Sequence, residues 1–237
     1  MSTDGLLVLF FPPTCVACDE VLPSPGYFCE GCSASVSELP TSRCARCAEP
    51  GAFEGQRCPR CTAQQPSFDG AFAPFEHEGA LATAIHRFKY GGHAELSRAL
   101  GQLMAQRSAS ALTSMPGDIC PLPLHDGRYL ERGYDQATLL AVEVAKILRR
   151  PLGDSFLTRV RATQRQVGLS ESDRDTNVHG AFMATASVTG RSVVLVDDVL
   201  TTGSTAREAA RVLKAAGATK VFVLTLARAR RESLHAG

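Results

Sequence analysis

Residues 193–205 combine a hydrophobic run, two carboxylates, a short loop of hydroxyl residues and glycine, and the start of a helical pattern. Four consecutive apolar, mostly β-branched residues at 193–196 predict a strand that is covered on both faces. From Ala206 to Ala216 the apolar positions recur at helical spacing, and Gly217 supplies a C-cap residue. A buried strand that leads directly into a helix predicts an α/β domain with a mainly parallel sheet.

The loop between this strand and this helix has the composition of a phosphate site. Ligands of open α/β sheets bind beyond the carboxyl ends of the strands, where backbone amides, hydroxyls and a helix N-terminus can surround a phosphate. Asp197 and Asp198 can accept hydrogen bonds from sugar hydroxyls or hold a hard cation. The alternative is an ordinary strand whose aspartates cap a helix, but the complete pattern favours a phosphate-ribose site. The predicted phosphate ligands are Thr201, Thr202, Gly203, Ser204 and Thr205.

This pattern resembles the 5-phosphoribosyl pyrophosphate (PRPP) signature of type I phosphoribosyltransferases. The resemblance implies that Asp197 and Asp198 hold the ribose hydroxyls and that residues 201–205 surround the 5′-phosphate. It also implies that Mg²⁺ accompanies the diphosphate of PRPP. Purine-salvage relatives commonly have an acidic acid/base residue where this chain has Thr201. The catalytic residues therefore remain unknown from sequence.

Eight of the nine cysteines form four Cys-x-x-Cys pairs with spacers of ten, eleven and ten residues. Two such pairs can complete a tetrahedral shell of four thiolates, which suits Zn²⁺, and eight cysteines then predict two structural zinc ions. Pairing of the first four and of the last four is the simplest arrangement, and an interleaved one stays open. The predicted ligands are Cys15, Cys18, Cys29, Cys32, Cys44, Cys47, Cys58 and Cys61.

A disulfide framework is the competing interpretation of these cysteines, and it requires an oxidising compartment. Residues 1–14 do not have the pattern of a secretory signal, because Asp4 replaces a basic region and the apolar run is short. No later segment is long and apolar enough to span a bilayer. We therefore expect a cytoplasmic zinc protein without membrane insertion. The ninth cysteine, Cys120, lies in a strand-like run and is expected to be a buried apolar residue.

The chain of 237 residues suits a small metal-dependent module followed by one substantial domain. We predict a double zinc ribbon over residues 1–66 and an α/β domain over residues 67–237. A net charge of +1 gives no global argument for nucleic acid. Four arginines nevertheless surround the second ribbon, where they either offset thiolate charge or form a patch that faces phosphates. These are Arg43, Arg46, Arg57 and Arg60.

Three further segments carry predictions. Residues 79–91 have the pattern of an amphipathic helix, whose late cations Arg87 and Lys89 suit the helix dipole. A strand end near residue 124, followed by an arginine-bearing loop and a helix of about fifteen residues, predicts a second anion site. The polar stretch at 158–180 predicts either a lid or a solvated loop. The pyrophosphate and lid candidates are Arg128, Arg132, Arg161, Gln166 and Arg174.

Taken together, the four cysteine pairs, the Lys-Tyr-Gly segment at 89–91, Arg-Gly-Tyr-x-Gln at 132–136 and the segment at 166–182 are similar to the ComF family of late competence proteins. That family is described as amidophosphoribosyltransferase-like. One departure is Asp135, where the family usually has asparagine. The change removes an amide donor and adds negative charge near the second anion site.

The resemblance implies a PRPP-binding protein that is linked to DNA uptake in natural transformation. Two function classes stay open at this point. One is an active phosphoribosyltransferase of nucleotide salvage or metabolism with an unidentified acceptor. The other is an accessory of the DNA-uptake machinery that binds nucleotides or single-stranded DNA.

Overall fold

A parallel five-stranded sheet organises the larger part of the chain. The structure, a computed structural model, describes residues 12–162 and 176–230. The strands are β1 (Gly70–Phe72), β2 (Phe75–Glu76), β3 (Asp118–Pro121), β6 (Ser192–Leu200) and β7 (Lys220–Arg228). The order across the sheet is β1-β7-β6-β3, and β2 also pairs with β7. Strands β4 (Leu157–Arg159) and β5 (Phe182–Ala184) form a separate antiparallel pair.

Helices cover both faces of this sheet. The helices of the described residues include α1 (Glu30–Ser33), α2 (Pro59–Ala63), α3 (Gly79–Tyr90), α4 (Leu96–Thr113), α5 (Asp126–Arg132), α6 (Gln136–Leu148) and α7 (Ser204–Ala215). Successive residues of β6 enter opposite cores: Val194 and Val196 pack with α3, α4 and α6, whereas Val193 and Leu195 pack with α7. The predicted α/β class with a parallel sheet and a preceding cysteine module is therefore confirmed.

Strand β6 is longer than its hydrophobic run. It continues through Asp197 and Asp198 to Leu200, because its ladder with β7 extends to the pair Leu200–Arg228. The aspartates therefore lie inside the strand, near its carboxyl end, rather than after it. A second difference is α5, a short helix in the arginine-bearing segment that was predicted as a loop.

The cysteine region is an internal structural repeat. In the first half, the amide of Cys15 donates to Glu20 O and the amide of Asp19 donates to Cys15 O. In the second half, the amide of Cys44 donates to Glu49 O and the amide of Ala48 donates to Cys44 O. Asp19 and Ala48 both have positive φ. The other two cysteine pairs begin short helices, since Cys29 caps α1 and Cys58 caps α2.

The polar stretch at 158–180 starts and ends at the β4–β5 pair. Arg161 lies at its base and donates to the carbonyl oxygens of Asn177 and His179, at 2.9 and 2.6 Å. Gln166 and Arg174 lie outside the described residues. Within residues 12–162 and 176–230, no helix has the length and apolar character needed to cross a bilayer.

Candidate functional site

The two aspartates of β6 lie at the carboxyl end of the parallel sheet. Asp198 is buried, and its backbone amide donates to Asp197 Oδ1 at 2.8 Å. Successive side chains of a strand point to opposite faces. The hydrogen bond from the Asp198 amide nevertheless holds the carboxylate of Asp197 beside the backbone of Asp198. The result is a compact acidic site directly before the loop at 201–205.

Lys89, at the end of α3, is the cation of this site. Its Nζ lies 2.8 Å from Asp198 Oδ1, and the two side chains are 23% and 7% exposed. Burial works to lower the pKa of Lys89, but the carboxylates of Asp198 and Asp197 outweigh it and raise that pKa. The ammonium group therefore stays charged. The helix dipole alone does not account for this lysine, which sequence reasoning did not include among the site residues.

The excess of carboxylates shifts the titration of Asp197. Burial raises its pKa, and repulsion from Asp198 adds to that effect, so that the pKa reaches about 8 although Lys89 opposes the change. Asp135 also contributes to the increase. Hydroxyl groups that donate hydrogen bonds, or a bound cation, would stabilise the ionised carboxylates of such a site.

Asp135 serves as an acceptor at the start of α6. Its Oδ1 accepts from the amide of Thr138 at 3.1 Å, and its Oδ2 accepts from the amide of Leu124 at 2.6 Å. Burial raises the pKa of Asp135, and these two hydrogen bonds oppose the increase. Both carboxylate oxygens of Asp135 accept a hydrogen bond, whereas asparagine has only one side-chain oxygen and its NH2 group donates. Asp135, the departure from the family pattern, therefore links the segment after β3 to the start of α6.

Unused donors lie next to this helix start. Arg132 donates to Gln136 Oε1 at 2.7 Å and packs over the ring of Tyr90 at 4.8 Å. Arg132 Nε and Gln136 Nε2 are buried and have no hydrogen-bond partner among the residues that the structure describes. Buried donors of this kind normally find an acceptor. These donors lie at the predicted second anion site, where the sequence analysis named Gln136 within the family motif but not as a candidate ligand.

Arg159 of β4 faces the same region. Burial, together with the nearby guanidinium of Arg128, lowers the pKa of Arg159 to about 10, and Asp197 opposes the change. Arg159 thus lies within electrostatic range of both Arg128 and Asp197. The guanidinium of Arg161 instead donates to the backbone carbonyl oxygens of Asn177 and His179.

The loop at 201–205 is folded by its own hydroxyls. Thr202 Oγ1 and Ser204 Oγ lie 3.0 Å apart, and both residues are buried. Gly203 has φ +80°, a conformation that costs an L-residue about 1–2 kcal/mol. No atom lies closer than 3.6 Å to an added Cβ, so conformation rather than space requires the glycine. Thr201 and Thr205 are more exposed and are the hydroxyls that a ligand can reach.

The second cysteine cluster, which contains Cys44, Cys47, Cys58 and Cys61, packs behind this loop. Arg60, between two of its cysteines, donates to Thr202 O at 2.7 Å. Arg228 is 1% exposed and donates to Cys47 O at 3.2 Å and to Leu200 O at 2.8 Å. It also donates to Thr201 O and forms an ion pair with Glu49.

The eight cysteines form two separate clusters, each with its four sulfurs within 4.8 Å of one another. The first contains Cys15, Cys18, Cys29 and Cys32, and the second contains Cys44, Cys47, Cys58 and Cys61. Zn–S bonds of about 2.3 Å place tetrahedral sulfurs about 3.8 Å apart. The Cys18–Cys29 and Cys47–Cys58 sulfurs are 3.7 and 3.6 Å apart. The residues therefore fit two structural zinc ions with sequential pairing.

The arginines near the second cluster are mostly occupied within the protein. Arg43 packs over Phe72 and donates to Ala73 O, Arg46 pairs with Asp69, and Arg60 holds Thr202 O. Arg57 is exposed. Cys120 is fully buried in β3, as predicted, and burial raises its pKa to about 12.

Comparison with protein-family models agrees with this division of the chain. Residues 135–235 match the phosphoribosyl transferase domain, and residues 6–62 match the double zinc ribbon domain. A solved structure titled as the allosteric regulatory enzyme of purine biosynthesis is 27% identical over 55% of this chain, with a TM-score of 0.38. The chain spans about a quarter of that protein's length, 25%, and at this TM-score the likeness adds nothing to the assignment.

Several curated proteins are similar to this chain over most of its length and most of their own. Competence protein F of Haemophilus influenzae is 34% identical over 228 residues, which cover 93% of this chain and 99% of that protein. DNA utilization protein YhgH of Escherichia coli K12 is 31% identical over 84% of this chain and 89% of that protein. Competence protein ComFC of Bacillus subtilis is 26% identical over 84% and 83%. With both cysteine clusters and the aspartate-loop site in place, the chain belongs to the ComF family.

Proposed function

We propose that this protein binds PRPP at the carboxyl end of its sheet. Asp197 and Asp198 would accept hydrogen bonds from the ribose hydroxyls, and residues 201–205 would surround the 5′-phosphate. The observation that carries this proposal is the contact of Lys89 with Asp198 beside a loop whose glycine has positive φ. An acidic pair supplies acceptors for hydroxyls, while the adjacent loop and the start of α7 supply donors for a dianion.

The diphosphate of PRPP would lie toward α6 and β4. The buried donors Arg132 Nε and Gln136 Nε2 support this direction, as does the position of Arg159 near both Asp197 and Arg128. Mg²⁺ would accompany PRPP and neutralise part of the diphosphate charge. Gln166, Arg174 and Arg161 remain further candidates for this end of the ligand.

We also propose that the protein takes part in DNA uptake, with single-stranded DNA and the uptake machinery as partners. The names of its relatives, which are competence and DNA utilization proteins, support this role. A cytoplasmic location fits such a role. We place the boundary between the two modules at residue 66, between the end of α2 at Ala63 and the start of β1 at Gly70.

Transfer of the 5-phosphoribosyl group is the second candidate function. A nucleophile would attack ribose C1, the bond from C1 to the diphosphate would break, and pyrophosphate would leave with the bonding electrons. Charge then develops on the leaving group, which the arginines near α6 and β4 could stabilise. Thr201 supplies no acid or base, so an acceptor that needs no deprotonation by this loop fits best.

Calorimetric titration with PRPP and Mg²⁺ tests the proposal. We expect saturable binding by the wild-type protein and about 1.5–3 kcal/mol weaker binding by Asp198→Asn, because one charge-assisted hydrogen bond is lost. Gly203→Val should lose more affinity through strain at positive φ. Asp154→Asn, which changes an exposed carboxylate, is the control. Wild-type protein that shows no heat of binding and no rise in melting temperature would exclude the site.

A further inference from the structure

Where β6 leads into the proposed phosphate loop, the carbonyl groups of Leu200, Thr201 and Thr202 point toward the second cysteine cluster. Arg228 binds the carbonyl oxygens of Leu200 and Thr201, and Arg60 binds that of Thr202. Arg228 is in turn fixed to the cluster, because it also donates to Cys47 O and pairs with Glu49.

The direction of these carbonyls determines the direction of the amides. In a planar trans peptide, the C=O of one residue and the N–H of the next point in opposite directions. The described residues contain no cis peptide bond. Carbonyls 200–202 point toward the ribbon, so the amides of Thr201, Thr202 and Gly203 point away from it.

We propose that the second zinc ribbon positions the phosphate loop, with Arg60 and Arg228 as positioning residues that turn three backbone amides toward the ligand. This inference rests on the proposed phosphate site and assigns the ribbon a part in ligand binding. Arg207, from α7, reinforces the arrangement, because it donates to Thr202 O at 3.0 Å and to Ser204 Oγ at 3.1 Å.

The alternative is that Arg60 only attaches the ribbon to the α/β domain. Attachment alone predicts that the loop keeps its conformation when the arginine is changed. Positioning predicts that the loop loosens locally, even when both zinc ions and the overall fold are retained. A local opening of this kind is visible in amide hydrogen exchange.

The experiment compares full-length zinc-loaded Arg60→Met, Arg60→Lys and Arg57→Met with the wild type. Methionine keeps much of the aliphatic stem of Arg60 but removes its donors, whereas lysine restores a donor and the charge. Arg57 is exposed and lies three residues earlier, which makes it a matched control. Elemental analysis confirms two zinc ions in each variant before measurement.

We expect faster exchange of amides 201–205 in Arg60→Met without ligand, partial recovery in Arg60→Lys and no change in Arg57→Met. Affinity for PRPP should fall about tenfold in Arg60→Met, a loss on the scale of one strong hydrogen bond. Wild-type exchange at 201–205 in a zinc-loaded Arg60→Met protein would overturn the inference. If the wild type binds no PRPP, the proposed function fails, but the exchange comparison still decides whether the ribbon positions the loop. If Arg60→Met loses zinc, the zinc-loaded Arg60→Lys protein decides: exchange of amides 201–205 that is faster than in the wild type supports positioning, and wild-type exchange contradicts it.

Discussion

Lys89 Nζ and Asp198 Oδ1 lie 2.8 Å apart at the carboxyl end of the sheet. The same helical turn carries Arg87, which donates to Val16 O in the first cysteine module at 3.1 Å and pairs with Asp19. The end of α3 therefore contacts both the first zinc ribbon and the proposed ribose site. The second ribbon reaches the phosphate end of the site through Arg60 and Arg228.

Removal of Lys89 should destabilise the protein, because it leaves a buried carboxylate without its cation. We expect Lys89→Met to lower the free energy of unfolding by about 3 kcal/mol, near the low end for a broken buried pair since the lysine is partly exposed. Asp198→Asn in the same background should recover part of that loss. Urea unfolding of the two single variants and the double variant gives the coupling energy. Purely additive effects would contradict a direct interaction between Lys89 and Asp198.

The raised pKa of Asp197 predicts how stability changes with pH. Its folded value of about 8 lies above its ordinary value of 3.8, because burial and Asp198 disfavour the charge. The folded state therefore binds more protons between these two values, and stability falls as pH rises through this window. Asparagine resembles the protonated acid, so Asp197→Asn should gain stability over the wild type progressively from pH 5 to pH 8.

Urea unfolding at pH 5, 6.5 and 8 checks this expectation, with Asp154→Asn as an exposed control. A margin between Asp197→Asn and the wild type that stays constant over this range would show that Asp197 is ionised throughout.

The two cysteine clusters should hold two zinc ions per chain and lose them separately. Cys15→Ser and Cys58→Ser should each retain one zinc ion, since each cluster has its own four ligands. A chelator should remove the first zinc faster, because Cys18 is exposed whereas all four cysteines of the second cluster are buried. Elemental analysis and thiol titration measure both quantities. Near-zero zinc with eight titratable thiols, or loss of both ions from one substitution, would contradict this arrangement.

Single-stranded DNA binding can be tested at the second ribbon with two neighbouring arginines. Arg57 is exposed, whereas Arg60 holds Thr202 O. If this face contacts DNA phosphates, Arg57→Ala should reduce the slope of log affinity against log salt by about 0.7, and Arg60→Ala should leave it unchanged. Anisotropy of a labelled oligonucleotide over a salt series measures the slopes. Equal slopes for the wild type and Arg57→Ala would remove this face from the DNA-binding hypothesis.

Local patterns in the sequence determined the main features of this protein. The hydrophobic run at 193–196 predicted β6 because a strand that is buried on both faces needs continuous apolar residues. Gly203 and the hydroxyls around it predicted a tight loop, and the Cys-x-x-Cys spacing predicted two thiolate sites because each pair can bind one ion from a single turn. The boundaries were less accurate where the β7 ladder extended β6 past its apolar run.

Only the tertiary structure decided which distant residues complete the site. Lys89 meets Asp198 because α3 packs against the end of the sheet, and no spacing in the sequence encodes that contact. Arg60 and Thr202 are 142 positions apart, and Arg228 and Cys47 are 181 apart. Hydrogen bonds between such residues depend on how the modules pack. The charge pattern alone therefore did not show that Arg60 faces the phosphate loop while Arg57 faces solvent.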